Sequence, residues 1–159
     1  MSPGHLHAYR AVVTWTGNRG QGTSGYRSYG RDHVVRIDGK PDLAASADRV
    51  FHGDMGRHNP EDLLVAALAG CHLLTYLHFA ADAGIVVTAY EDRAEGHMET
   101  TGSSGRFVEV VLHPAVTLAA SGDATRALSL HEDAHRACFI ANSVNFPVRC
   151  KPRIIIASS

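Results

Sequence analysis

The stretch Asn59-Pro-Glu-Asp-Leu-Leu-Val-Ala-Ala-Leu-Ala-Gly-Cys-His-Leu-Leu-Thr-Tyr-Leu-His-Phe-Ala-Ala-Asp-Ala-Gly84 decides how the rest of the chain is read. Asn59 suits an N-cap, and Pro60 suits the first helical position, whose amide has no partner anyway. Glu61 and Asp62 set negative charge against the positive end of the helix dipole. Gly84 marks the stop. About 24 residues between these signals predict a helix roughly 36 Å long. From Leu63 to Ala80 it is apolar on nearly every face, so protein must surround it. Cys71-His72, His78 and Asp82 interrupt the run and both ends carry charge, which favours the central helix of a soluble protein over a membrane span.

Around that helix the chain has room for one domain with a sizeable core at 159 residues, and no linker long enough to divide residues 1–159. Lys and Arg number 15 against 16 Asp and Glu, with no basic block, which argues against a nucleic-acid partner. No charged-then-apolar leader opens the chain, and three cysteines suit a reduced compartment better than a disulfide scaffold, so a cytoplasmic location is expected.

Before the helix, alternation from Leu6 to Thr16 predicts a strand with Tyr9, Ala11, Val13 and Trp15 on one side. The glycine-rich segment 17–22 has no Gly-Lys-Ser/Thr and no helix after it, so it reads as a turn rather than a phosphate loop. Tyr26–Tyr29 and His33–Ile37 read as strands, with Asp38-Gly39 a hairpin turn, and Lys40–His58 as a polar connection. After the helix come strands at Ile85–Arg93 and Arg106–Leu118, separated by a polar loop tip, Gly96–Gly105. A second helix is expected from an Asp123 cap to about Ile140, its inner face carrying Ala124, Ala127, Leu128, His131, His135 and Cys138. A loop at Asn142–Pro147 and a final strand at Val148–Ala157 complete an α+β domain.

Cysteine chemistry needs a thiolate, and an apolar helix interior raises a thiol's pKa. Cys71 lies about twelve residues into its helix, beyond useful reach of the N-terminal dipole. Taken alone it is an inert core residue, or else a reactive one with a cation such as arginine beside it. Cys138 sits on the buried face of the other helix, where the two thiols could meet. Cys150 belongs to an apolar stripe with Val148, Ile154 and Ile156. His131-Glu132-Asp133-Ala134-His135 matches the H-E-x-x-H pattern of zinc hydrolases, with Cys138 a conceivable third ligand. No glycine-containing extension with a further histidine follows, and eleven histidines make a chance match easy. Packing and hydrogen bonding are therefore expected of His131 and His135, with no metal and no cofactor. His72, adjacent to Cys71, points about 100° away and is a poor base for it.

Asn59-Pro-Glu-Asp-Leu-Leu with Cys71 ten residues after the glutamate, and Ala137-Cys138 late in a second helix, resemble the OsmC/Ohr family. These are bacterial peroxiredoxin-like enzymes of organic hydroperoxide resistance and oxidative stress. The resemblance spans nearly the whole chain and lies closer to OsmC than to Ohr, since Asp62-Leu-Leu replaces a glutamine- and phenylalanine-containing version. It implies antiparallel sheets around two central helices and an intertwined homodimer in which both protomers build each site. It implies Cys71 as the peroxidatic cysteine, Cys138 as the resolving one, and Glu61 as the residue that orients an arginine. Arg19 matches the usual place of that arginine, with Arg27 and Arg31 in the same region. Glu61 and Cys71 are ten residues apart on one helix, roughly 15 Å along its axis. A glutamate that orients an arginine beside a Cys71 must therefore serve the other chain's cysteine.

The expected activity is reduction of an organic hydroperoxide to its alcohol, with an external dithiol, a lipoylated protein among the candidates, as reductant. Two other readings stand beside it. One is a non-catalytic protein of the same fold that binds a small apolar ligand. The other is a zinc hydrolase built on His131, Glu132 and His135.

Overall fold

The central helix forms as its end signals predict. In the computed structural model, which describes residues 4–158, α1 runs Pro60–Asp82. The Asn59 side-chain oxygen accepts the Asp62 amide at 2.8 Å. At the far end Gly84 takes φ 70° and donates to Ala81, while Ile85 donates to Ala80. Those two bonds close the helix as a Schellman turn, which needs a residue tolerant of the left-handed region. The residues fall into two compact units, and the boundary between Leu63 and Leu64 lies within α1.

In the first unit β1 (Val12–Trp15), β2 (His33–Arg36) and β3 (Leu43–Ala45) form an antiparallel meander. Only the last third of the expected Leu6–Thr16 strand pairs, because Leu6 and Tyr9 are 99% and 92% exposed with nothing to pack on. Asp38-Gly39 does turn the β2–β3 hairpin, with Lys40 donating to Ile37 at 3.0 Å. Segment 17–22 is a turn, organised by Asn18, whose side-chain oxygen accepts the Gly20 and Gly22 amides at 2.9 and 3.0 Å. The expected strand at Tyr26–Tyr29 is instead a turn. Its cause is Arg31, whose guanidinium donates to the Tyr26 and Tyr29 carbonyls, both at 2.7 Å, and lies over both rings. The connection 40–58 contains β3 and a single 3-10 turn, Arg49–Phe51, capped by Asp48.

The second unit holds six strands among the described residues: β4 (Val87–Asp92), β5 (Glu95–Thr101), β6 (Ser104–Leu112), β7 (Pro114–Leu118), β8 (Val148–Cys150) and β9 (Arg153–Ile156). They make two sheets, ordered β4-β7-β9 and β5-β6-β8. Each sheet is mixed, not purely antiparallel as expected, because β6–β8 and β7–β9 are parallel pairs. The predicted loop 96–105 is a β-hairpin. Its strand β5 is exposed on every residue, so no apolar alternation marks it.

The expected strands Arg106–Leu118 and Val148–Ala157 are each creased once, and at matching places. Leu112 pairs with Cys150 and Ala115 with Arg153, a constant offset of 38 residues that also sets Pro114 opposite Pro152. Proline cannot donate to a ladder, so each crease lets its strand leave one sheet and enter the other. Asp92 accepts the freed amide of His113 at 2.7 Å.

The second helix, α2, runs Ala124–Ala137 with Asp123 as its cap, as expected, but ends three residues before Ile140. Its buried face is Ala127, Leu130, His131 and Ala134, whereas Ala124 and Leu128 are exposed. On α1 the buried stripe is Leu68, His72, Tyr76 and Ala80, one residue per turn. One core joins Tyr76 and Ala80 to α2 and the sheet β4-β7-β9; another joins Leu68 to the sheet β5-β6-β8 and residues 140–148.

Candidate active site

Cys71 lies one position before the buried His72, on the shoulder of α1, and is half-buried. Cys138 is the first residue beyond α2 and is 1% exposed. Its backbone turns extended, with ψ 112°, so the chain leaves the helix there. The amides of Phe139 and Ile140, between α2 and a 3-10 turn (Ala141–Ser143), and that of Ala141 at the start of the turn consequently have no backbone partner among the described residues.

These amides converge on the two sulfurs. Burial pushes the Cys71 thiol upward, but the Ile140 amide, the Cys138 thiol, the Phe139 amide and the Thr75 hydroxyl together bring it below its ordinary value. Burial first, and then its neighbour Cys71, raise Cys138 to about 11 against the Ala141 and Ile140 amides. Neither sulfur makes a hydrogen bond of ordinary length, so these are longer polar contacts acting together. The two sulfurs are free thiols, not a disulfide. Cys71 is thus the more acidic of the two sulfurs.

The first unit carries the other residues singled out in the sequence. Glu61 occupies the first turn of α1, half-buried, and joins no ion pair among the described residues. Arg19 and Arg27 are exposed and likewise unpaired among the described residues. Arg31 is taken up by Tyr26 and Tyr29. Thr75 and the amides after α2 escaped the sequence reading. A threonine one turn beyond Cys71 was a visible signal, but the free amides depend on where α2 stops.

His131 packs and hydrogen-bonds as expected, but the cluster it joins with His72 and Cys150 was not foreseen. His72 Nε2 lies 3.0 Å from His131 Nδ1, the two rings nearly parallel with centroids 5.3 Å apart, so they meet end to end. Cys150 Sγ lies 3.6 Å from the first nitrogen and 3.9 Å from the second. Tyr76 stacks on His131 and donates to the Ala127 carbonyl at 3.1 Å. Burial holds both imidazoles neutral, at about 4 each, and lifts the Cys150 thiol to about 12. Among the described residues, His72 Nδ1 and His131 Nε2 are buried without a partner. Cys150 is therefore a member of this cluster and not merely part of an apolar stripe. His72 was legible as the one polar residue in the stripe Leu68, Tyr76, Ala80.

The H-E-x-x-H ligand set does not assemble. Among the described residues the only convergent group of three potential ligands is His72, His131 and Cys150. His131 turns inward to His72, Glu132 is exposed, and Cys138 has left the helix for Cys71.

No curated protein matches the chain. An OsmC-like protein of unknown function from Vibrio cholerae is 29% identical, with a TM-score of 0.84 over 92% of this chain and 99% of that one. An organic hydroperoxide resistance protein OsmC from Legionella pneumophila is 22% identical, with a TM-score of 0.69, covering 96% and 99%. An organic hydroperoxide resistance protein from Elizabethkingia anophelis is 19% identical, with a TM-score of 0.69 over 96% and 99%. At those two lower identities the likeness is one of fold. The profile of the family described as OsmC-like protein matches residues 52–153, a span that contains all of α1 and α2 and both sulfurs of the pair, and the chain belongs to that family.

Proposed function

We propose that the protein is a thiol peroxidase for organic hydroperoxides, acting as a homodimer in the bacterial cytoplasm. The observation that carries this reading is the opposed acidity of two neighbouring sulfurs, Cys71 lowered and Cys138 raised to about 11. A peroxidatic cysteine has to be a thiolate, and a resolving cysteine has to keep its proton until it is needed.

In this reading the Cys71 thiolate attacks the terminal oxygen of R–O–O–H. The S–O bond forms, the O–O bond breaks, and the alkoxide leaves with a solvent proton as the alcohol. Cys71 is then a sulfenic acid. Cys138 gives up its proton and attacks that sulfur, the S–S bond forms, the S–O bond breaks, and the hydroxide leaves with the proton as water. An external dithiol reduces the disulfide and restores both thiols. Two amides and a thiol stabilise the thiolate within one chain; by resemblance, Arg19 of a second copy, oriented by that copy's Glu61, adds a full charge. The engagement of Arg31 with Tyr26 and Tyr29 narrows the alternatives to Arg19 and Arg27.

The dimer is supported by what one chain leaves uncovered. By length and composition α1 would suit a membrane span, yet only 22% of its most apolar window is buried within the chain. Leu74 is 68% exposed, and Val12 and Val13 of β1 are 62% and 63% exposed. A second copy of the chain would cover such surface.

The test is peroxide-dependent thiol loss. Cumene hydroperoxide added to the reduced protein should consume two thiols per chain, faster than hydrogen peroxide does, and dithiothreitol should restore them. Unchanged thiols after prolonged exposure would favour the ligand-binding reading instead.

A further inference from the structure

We propose that His72, His131 and Cys150 form a binding site for a zinc(II) ion, separate from the Cys71–Cys138 pair. The three donors come from α1, α2 and β8, so the fold itself brings them together. A triangle with sides of 3.0, 3.6 and 3.9 Å has a circumradius of about 2.1 Å. Zinc bonds to imidazole nitrogen at about 2.0–2.1 Å and to thiolate at about 2.3 Å. An ion near the centre of that triangle lies within bonding distance of all three, provided that each ring, which meets the other end to end, turns to face its nitrogen toward the ion.

The donor chemistry agrees with the geometry. Two imidazoles and a thiolate select a borderline or soft transition metal over magnesium or calcium. Both imidazoles are neutral at physiological pH, so each can offer a bare nitrogen once the ring that donates their mutual hydrogen bond moves that proton to its outer nitrogen. Only the Cys150 proton has to leave, and metal binding to cysteine releases it. His131 and Cys150 also line a cavity of about 370 Å³ whose wall includes Glu132 and His135. The cavity gives the ion a way in and leaves a fourth position for a solvent molecule, the usual completion of a three-ligand zinc site.

Two ring nitrogens, His72 Nδ1 and His131 Nε2, stay buried without a partner among the described residues whether or not the ion is bound, because the ion takes the opposite nitrogen of each ring. Because neither outer nitrogen has a protein acceptor, the site forgoes outer-shell hydrogen bonds worth about 10–100-fold in affinity. Micromolar binding is therefore expected, not the tighter binding of a structural zinc finger.

The experiment titrates cobalt(II), then zinc(II), into chelator-treated, reduced, full-length protein. Cobalt should bind at one equivalent per chain with a near-ultraviolet thiolate charge-transfer band, and zinc should displace it. Cys150→Ser should abolish the band, and His131→Gln should weaken binding at least tenfold. His135→Ala should leave it unchanged, which separates this site from the H-E-x-x-H motif. The double variant Cys71→Ser/Cys138→Ser should keep the band. A band that survives Cys150→Ser, or disappears with the double variant, overturns the proposal. The wild-type protein provides a check free of folding defects: zinc should slow alkylation of Cys150, located by peptide mass, at least tenfold. An unaltered alkylation rate in saturating zinc also overturns it. None of these readouts depends on peroxide turnover.

Discussion

Cys71 and Cys138 stand beside one another yet differ in acidity in opposite directions: the first is lowered by surrounding donors, the second raised by burial and by the first. The asymmetry has a backbone origin. α2 stops at Ala137, and the amides just beyond it are free to face sulfur instead of completing another helical turn. A helix three residues longer would spend those donors on its own carbonyls.

Cys71→Ser is expected to abolish peroxide consumption, since a hydroxyl is a far weaker nucleophile at neutral pH. Cys138→Ser is expected to complete one rapid turnover and then over-oxidise to the sulfinic acid, visible by mass as two added oxygens. Sustained turnover by Cys71→Ser would remove the peroxidase reading.

The acidities predict an order of alkylation. With iodoacetamide under limiting exposure, Cys71 should react with a midpoint below that of an ordinary thiol, while Cys138 should titrate near pH 11. Peptide mapping across a pH series measures both, and a reversed order would be incompatible with the assigned roles.

Acid stability should report the buried histidine pair. Both imidazoles titrate at about 4 in the folded chain against an unfolded value of about 6.5. Between those values the unfolded chain binds more protons, so stability is full above pH 6.5 and falls as pH drops toward 4. The slope is about 1.4 kcal/mol per pH unit for each ring. Urea unfolding at pH 7, 6 and 5 measures it. In His131→Gln the slope should roughly halve, because one ring is gone.

Mixed dimers test whether the site crosses the subunit boundary. Cys71→Ser and Glu61→Gln chains should each be inactive alone. In a crossed arrangement one site of every mixed dimer collects both lesions and the other is intact. Random pairing should then restore about a quarter of wild-type activity. Activity that stays lost on mixing points to a single-chain site.

A backbone substitution checks the fold directly. A Cβ on Gly53 would sit 1.6 Å from the Ala47 carbonyl oxygen, so Gly53→Ala should destabilise the first unit by about 2 kcal/mol or more. Thermal unfolding detects the loss. Gly20→Ala meets no neighbouring atom and carries only the cost of its positive φ, about 1 kcal/mol.

Much of this was legible in the chain where end signals are local. Asn59, Pro60 and Gly84 bounded α1, and Asp123 started α2, because caps act within a few residues. The Gly96–Gly105 stretch misled because β5 is exposed throughout, so its pairing leaves no apolar alternation. Tyr26–Tyr29 misled because its aromatic residues serve a cation instead of a ladder. Leu128 was assigned to the buried face of α2, but Leu130 and Ala134 hold it, a rotation that periodicity in a short helix does not resolve. The cysteine pair was reached through resemblance, and its acidities only through the stop at Ala137. The histidine–cysteine cluster joins residues 59 and 19 positions apart, a separation over which no spacing rule operates.

The matched creases at Pro114 and Pro152 bear on how this chain can change in length. Pairing across the two strands is a spatial ladder, indifferent to how much chain runs between its sides. Residues added around Ala119–Gly122, ahead of α2, would leave every pair intact. A single deletion between Val148 and Ile156 would instead set Pro152 one step out of line with Pro114 and turn half the strand inside out. Insertions and deletions accepted by related chains should therefore gather outside the doubled ribbon and leave its two prolines opposite one another.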